Sequence, residues 1–233
     1  MKKLKTSFRN GKSKLSIRYF FLTNSDLYMR VLILIIFTMF CFIILYYNCN
    51  EGKYIVPENV VFLGDSITNY YDLDKYYPDN NVVNSGISGN VADDILSDMY
   101  NRVYKYNPSK VFLLIGTNQI PIGDSDDRIL DGIKHIIDDI RENRPYAKIY
   151  IESIYPVNKK INEIKVKNRE NRRIVKLNKR IKQLSKDKDY VEYINVYDRL
   201  LDGDVLNEDY SYDGLHLNDK GYEVVTDVLK GFL

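Results

Sequence analysis

A chain of 233 residues with 45% hydrophobic and 28% charged side chains has room for one full-sized domain plus an appendage, and this balance rules out wholesale disorder. The formal net charge of +2 conceals a split: residues 1–30 carry eight Lys/Arg and one acid, which leaves 26 bases against 31 acids in residues 31–233. A nucleic-acid binder concentrates its bases on the folded domain, so an acidic domain argues against that class of partner.

The basic segment 1–30 runs into residues 31–47 (VLILIIFTMFCFIILYY), a stretch without a charge. At about 1.5 Å per residue it makes roughly 25 Å of helix, the short end of what crosses a hydrocarbon core. Arg30 can snorkel at one end, and Tyr46 and Tyr47 suit the interface at the other. A cleaved signal peptide is the main alternative, but Tyr46-Tyr47-Asn48-Cys49-Asn50 offers no small-x-small cleavage site. The same residues are poor flanks for a lipidated Cys49, and an unbroken apolar run is not the pattern of a core helix. The expectation is an uncleaved single-pass anchor in the cell membrane. Residues 1–30 then lie on the cytoplasmic side, 48–57 form a linker, and 58–233 form an extracellular domain. Both cysteines, Cys41 and Cys49, lie in or beside the span, so the outer domain has neither a disulfide framework nor a cysteine metal site.

Within the domain, strand and helix patterns alternate. Residues 59–63 form a compact apolar run ending at Gly64, a buried strand, and Val82-Val83 begin a second before the Gly86/Gly89 loop. Ile95, Met99 and Val103 predict one helix over 91–106, stopped by Pro108. Strand 110–115 ends at Gly116, and helix 126–143 carries an isoleucine stripe closed by Pro145. Strand 148–152 precedes a long basic helix over 162–186. Its stripe of Ile174, Leu177, Ile181 and Leu184 turns the bases to solvent. A strand over 190–196 and a helix over 221–232 close the chain. Strands separated by helices predict a three-layer α/β sandwich around a parallel sheet, of flavodoxin-like type.

Reactive groups in such sheets gather at the carboxyl ends of the strands. Ser66 follows the first strand directly, in Gly64-Asp65-Ser66-Ile67-Thr68. Thr68 stands where a Gly-x-Ser-x-Gly elbow needs its second glycine, which argues against an ordinary α/β-hydrolase. The second strand enters Asn84-Ser85-Gly86-Ile87-Ser88-Gly89-Asn90, and the third enters Gly116-Thr117-Asn118-Gln119. Of two histidines, His135 lies in a helical pattern as a surface or boundary residue. His216 lies in a loop three residues after Asp213. A strand-end serine, a loop histidine and a nearby aspartate meet the needs of nucleophilic catalysis. Asp65 reads as a loop-organising acceptor, Asn84 as a pin for its loop, and Thr68 as the start of the next helix. Tyr70, Tyr71, Tyr76 and Tyr77 admit a sugar-stacking role, although a chain with 21 tyrosines places such runs by composition alone. No phosphate loop, HExxH or acidic metal cluster is present, so no cofactor and no metal are expected.

Gly64-Asp65-Ser66, Gly89, Asn118 and Asp213-x-x-His216 occur in the order of the four blocks of the SGNH (GDSL) hydrolases, and residues 58–233 resemble that family. The resemblance implies a serine carboxylic-ester hydrolase of the bacterial acetylesterase type. Ser66 would be the nucleophile, His216 the base and then acid, and Asp213 the group that orients the imidazole. The backbone N–H groups of Ser66 and Gly89 and the Asn118 side-chain amide would form the oxyanion hole. Gln119 departs from the family's frequent Gly-x-Asn-Asp, which bears on the support of that loop.

The resemblance implies ester hydrolysis, and the outward topology and short loops point to removal of short O-acyl groups, acetyl above all, from carbohydrate outside the cell. A lysophospholipase or short-chain lipase, an envelope O-acyltransferase and a non-catalytic glycan-binding module are the alternatives. Only 22 polar, tyrosine-rich residues separate Ser66 from Gly89, so a shallow acyl pocket is expected. The acidic segment before Asp213 (LDGDVLNEDYSY) points to a neutral or cationic substrate.

Overall fold

The computed structural model describes residues 27–46 and 59–233. The rest of the basic segment, Tyr47, Cys49 and the expected linker 48–57 lie outside the described residues. The chain divides into two compact units between residues 55 and 56.

Among the described residues the first unit contributes one helix, α1 (Leu27–Tyr46), which starts four residues before the uncharged run and takes in Arg30. Its 20 residues are long and apolar enough to cross a membrane, at about 30 Å of helical rise. Thr38 satisfies its hydroxyl within the helix, on the Ile35 carbonyl at 2.9 Å.

In the second unit β1 (Val60–Gly64) leads directly into a one-turn helix, α2 (Ser66–Asn69), and then α3 (Leu73–Tyr76). β2 (Val82–Gly86) follows, then α4 (Ala92–Ser97), α5 (Met99–Arg102), β3 (Lys110–Leu114), α6 (Asp126–Asn143) and β4 (Lys148–Glu152). The remainder is α7 (Glu163–Val166), α8 (Asn171–Leu184), β5 (Val191–Ile194), a small antiparallel hairpin of β6 (Leu201–Asp202) and β7 (Val205–Leu206), and α9 (Asp219–Leu229). The five long strands form one parallel sheet in the order β2-β1-β3-β4-β5. This is the flavodoxin-like order, with its switch point between β1 and β3.

The central strands β1, β3 and β4 are buried on both faces because helices cover both, while the edge strands β2 and β5 are partly exposed. Val61, Leu63, Val111, Leu113, Ile149 and Ile151 pack with α4, α6 and α8. The alternate residues Val60, Phe62, Phe112, Leu114 and Tyr150 pack with α2, α3 and α9. Registration aligns Phe62, Phe112 and Tyr150 across three strands, and their rings stack with centroids 4.7 and 4.8 Å apart. Helix α6 matches its predicted limits. Ser125 caps its start by accepting from the Arg128 N–H at 3.2 Å, Asp126 and Asp127 occupy the first turn, and Ile129, Ile133, Ile136, Ile137 and Ile140 are all buried.

Two expected helices are broken. Between 91 and 106, α4 ends at Ser97 and α5 covers only Met99–Arg102 before a 3₁₀ turn, although Ile95, Met99 and Val103 are all buried as predicted. Ser97 Oγ donates to the Asp94 carbonyl at 2.8 Å and Asp98 accepts from the Asn101 side chain at 2.6 Å, so polar side chains compete with the helical ladder at the break. The basic helix is interrupted at Lys167, which sits at φ +56°. The Arg169 guanidinium takes up the freed carbonyls of Val166 (3.1 Å) and Lys165 (3.4 Å), which the continuous helix would have bonded itself.

Candidate active site

Each predicted site residue follows the carboxyl end of a strand or lies in a loop that returns there. Asp65 sits between β1 and α2, fully buried, and caps the short helix by accepting from the Ile67 N–H at 3.0 Å. This places Ser66 as the first residue of α2, with its hydroxyl 2.9 Å from His216 Nε2. The other ring nitrogen, Nδ1, is 2.8 Å from Asp213 Oδ2. Ser66, His216 and Asp213 therefore form one hydrogen-bonded chain across 150 residues of sequence.

The Asp213–His216 turn is built to hold this geometry. Asp213 Oδ1 accepts from the backbone N–H groups of Leu215 (3.0 Å) and His216 (2.8 Å), which leaves Oδ2 for the ring. Ser211 Oγ accepts from Gly214 N–H at 2.8 Å and donates to the His216 carbonyl at 2.7 Å. Gly214 has φ +76°, and a Cβ there would lie 2.1 Å from the Asn158 carbonyl oxygen, so only glycine fits the turn. Burial pushes the Asp213 carboxyl up, but the hydrogen bonds from the His216 ring and the two backbone amides outweigh it and hold the group below the ordinary carboxylate range. An ionised aspartate on Nδ1 fixes the tautomer that leaves Nε2 free to accept the serine proton.

Gly89 and Asn118 line the same cleft as Ser66 and His216. Gly89 has φ +85°, and among the described residues nothing beyond its chain neighbours lies within 4 Å of where its Cβ would be, so its backbone is open to an approaching group on that side. Asn118 Nδ2 donates to the Asn90 carbonyl at 3.1 Å and its Oδ1 accepts from Arg169 Nη2 at 3.1 Å. Gln119 does not carry a charge but bonds Asp124 at 3.0 Å and accepts from Ala92 N–H at 3.4 Å, tying the third loop to α4. Asn84 pins the second loop to the first through the carbonyls of Thr68 (2.8 Å) and Tyr71 (2.9 Å). Thr68 is the third residue of α2 and not its start. Of the tyrosine run, Tyr71 and Tyr77 are core residues, while Tyr70 borders the cleft with its ring centroid 5.2 Å from the His216 ring. His135 is exposed on α6, away from the cleft lining.

Two buried arginines in the site were not singled out from sequence. Arg102 reaches from α5 to the Gly64 carbonyl (3.0 Å), to Ser85 (3.1 Å), and with Nη1 to Asn90 Oδ1 (2.6 Å). A cation beside the apolar positions Ile95, Met99 and Val103 was the available signal. Arg169 gave none, because it lay among bases assigned to a solvent face. It is in fact only 3% exposed. Beneath the serine, burial pushes the Asp65 carboxyl up to about 7, against the Ile67 amide and the Arg169 charge. Its Oδ2 is buried without a hydrogen-bond partner among the described residues.

The cleft, about 460 Å³, departs from the sequence expectation in charge. Asn162, Ile164, Lys165 and Lys167 form one wall of it, and among the described residues no Asp or Glu lines it. The acidic segment before Asp213 contributes no lining residue, so its charge does not argue for a neutral or cationic substrate. The wall exists because the break at Lys167 turns the first residues of the expected basic helix across the site. Among the described residues no group of three or more His, Cys, Asp or Glu is placed to hold a metal ion.

Comparison with known proteins agrees with this architecture. The family model of the GDSL-like lipase/acylhydrolases matches residues 62–224. A protein of Escherichia coli O18:K1:H7 named N-acylneuraminate cytidylyltransferase is 30% identical over 76% of this chain, but the match spans only 41% of that protein. The human platelet-activating factor acetylhydrolase IB subunit alpha1 is 27% identical over 76% of this chain and 75% of its own length. Among solved structures, a Streptococcus pneumonia protein described as a candidate platelet activating factor has 32% identity and a TM-score of 0.73, over 80% of this chain and 89% of that one. An acetylxylan esterase from Geobacillus stearothermophilus shares the fold at 18% identity and TM-score 0.59, over 74% of this chain and 93% of its own. With the family model matched from within β1 into α9, the chain belongs to the GDSL-like lipase/acylhydrolase family.

Proposed function

We propose that the chain is a membrane-anchored, outward-facing serine esterase that removes short O-acyl groups, chiefly acetyl, from carbohydrate. The observation that carries the catalytic part is the Ser66–His216–Asp213 chain, opening on the same cleft as Asn118 and Gly89. His216 Nε2 takes the Ser66 proton as Oγ attacks the acyl carbon. The carbonyl oxygen becomes an oxyanion facing the Ser66 and Gly89 N–H groups and the Asn118 amide. Collapse breaks the acyl–oxygen bond, and His216 returns the proton to the leaving sugar alkoxide. Water, deprotonated by His216, then attacks the acyl-serine, releasing the carboxylic acid and restoring Ser66. Asp213 stays ionised throughout and stabilises the imidazolium.

The acyl part of the reading draws on names: the human relative is an acetylhydrolase and the Geobacillus neighbour an acetylxylan esterase. Their alcohol partners differ, so the alcohol is argued from the cleft. Lys165 and Lys167 favour an anionic substituent on the sugar, and the Escherichia coli relative is named for N-acylneuraminate, an acylated and anionic sugar. Ile164, 87% exposed on the same wall, is the feature that favours a lipid alcohol instead. The test is kcat/KM of the full chain in detergent on p-nitrophenyl esters of graded acyl length, with Ser66→Ala as the blank. Activity is expected to be greatest for acetyl and to fall by octanoyl, because a shallow pocket forgoes the roughly 0.8 kcal/mol each further buried CH₂ supplies. A maximum at about eight carbons or more, where those CH₂ groups find a pocket, promotes the lipase reading. Turnover that rises with added sugar acceptors promotes acyl transfer.

A further inference from the structure

We propose that Arg169 is a positioning residue for the acyl-transfer step: it locks the Asn118 side-chain amide so that an N–H stands ready for the oxyanion. The inference rests on Asn118 acting as an oxyanion donor and goes beyond it by naming what sets that donor's orientation.

An asparagine amide can flip, exchanging a donor for an acceptor at the same place. Here the partners leave no choice. A guanidinium has no acceptor, so the group 3.1 Å from Arg169 Nη2 must be Oδ1. A carbonyl has no donor, so the group 3.1 Å from the Asn90 oxygen must be Nδ2. Asn90 is itself held at its side chain by Arg102 at 2.6 Å. Nδ2 carries a second hydrogen, which no hydrogen bond given for the described residues engages. The bond from a charged donor to Oδ1 also draws electron density from the nitrogen and strengthens that remaining N–H.

The rest of Arg169 is spent on holding it still. Nε donates to the Thr117 carbonyl (3.0 Å) and hydroxyl (3.1 Å), immediately before Asn118, and Nη1 donates to the Val166 carbonyl (3.1 Å). Among the described residues the guanidinium makes no ion pair with a carboxylate. Asp65 and Asp213 act on it only as nearby charges, while burial opposes its charged form. A buried cation bonded to carbonyls and one amide is an expensive way to gain stability alone, and hydrophobic residues would fill the volume at less cost. Its fork binds two chain segments at once, 117–118 and 165–166, from three nitrogens, which the single ammonium of a lysine cannot do.

The test uses the full chain in detergent with p-nitrophenyl acetate, on Arg169→Lys, Arg169→Met, Asn118→Ala and the double variant Asn118→Ala/Arg169→Lys. Urea midpoints are read alongside kinetics. Arg169→Lys is expected to lower kcat by about tenfold to a hundredfold, with KM within about twofold, the signature of a misplaced transition-state contact. In the Asn118→Ala background the same change is expected to cost under about twofold more, because the group it positions is gone. Arg169→Met, lacking every donor, is expected to lose at least as much kcat as Arg169→Lys. Wild-type kcat in Arg169→Lys and in Arg169→Met, beside a large loss in Asn118→Ala, overturns the proposal while the oxyanion reading stands. Losses that multiply in the double variant overturn it too, since a general packing defect adds to any background. Wild-type kcat in Asn118→Ala removes the oxyanion reading and the proposal together.

Discussion

Ser66, His216 and Asp213 act as a unit under the proposed mechanism, so removing any one is expected to cost nearly the whole of kcat. Ser66→Ala and His216→Ala are each expected to nearly abolish ester turnover with urea midpoints close to wild type. Asn118→Ala is expected to lower kcat by on the order of a hundredfold or more, the usual loss for one oxyanion donor. Wild-type turnover in all three would contradict the assignment. The motif residues were legible because their chemistry is local: a serine directly after a strand, and an aspartate three residues before a histidine in a turn. Arg169 was not legible, because nothing within a few residues distinguishes it from the bases around it, whereas the apolar positions beside Arg102 were a signal left unused. Only the fold carries the Arg169 side chain to Thr117 and Asn118.

Among the elements, α6 and the five strands follow directly from buried periodicity, and the broken helices show where periodicity stops deciding. The stripe Ile174, Leu177 and Ile181 forms α8 as expected, and its bases pair with the first turn of α6 through Arg173–Asp126 (2.8 Å) and Arg180–Asp127 (2.6 Å). Seven residues earlier the same basic composition makes a cleft wall, because Lys167 takes a left-handed φ of +56°. A β-carbon in that region costs about 1 kcal/mol, and strained residues cluster at functional clefts. Lys167→Gly is therefore expected to raise stability by up to about 1 kcal/mol in urea titrations. The same variant is expected to raise KM for esters of anionic sugars more than for neutral ones. Equal KM changes for the two would show that the wall does not read charge.

For the whole molecule, the buried acids set the pH dependence of folding. Glu152 is 5% exposed, and burial pushes its carboxyl from 4.5 up to about 7, against the hydrogen bond from Tyr155 and assisted by the Asp65 charge. Between those values the native state keeps a proton that the unfolded chain releases, so stability declines as pH rises from about 4.5 to 7. Asp65 acts in the same direction from 3.8 to about 7. Asp213, depressed, acts oppositely, and its contribution is lost only in acid below the ordinary carboxylate range. Glu152→Gln is expected to flatten the decline in urea midpoint between pH 5 and 8. An unchanged slope would remove Glu152 as its source. The proposed topology has its own measurement: protease outside intact cells should remove the hydrolase unit while a tag at residue 1 stays protected. A soluble product beginning near Asn50 would show cleavage instead.

The amino-acid sequence by itself determined the layer architecture, because strands buried on both faces and helices with single apolar stripes leave few ways to exclude water. It also determined the order of the four signature blocks, since each is a short segment whose turn chemistry is set by its own residues. The tertiary structure alone decided the charge of the cleft and the state of its donors. Which wall faces Ser66 depends on a helix break at Lys167 whose freed carbonyls are taken up by Arg169, itself anchored on Thr117 52 residues away, and which way Asn118 turns depends on partners 28 and 51 residues away. Such contacts are fixed by packing between elements, and no local pattern of hydrophobicity or charge encodes them.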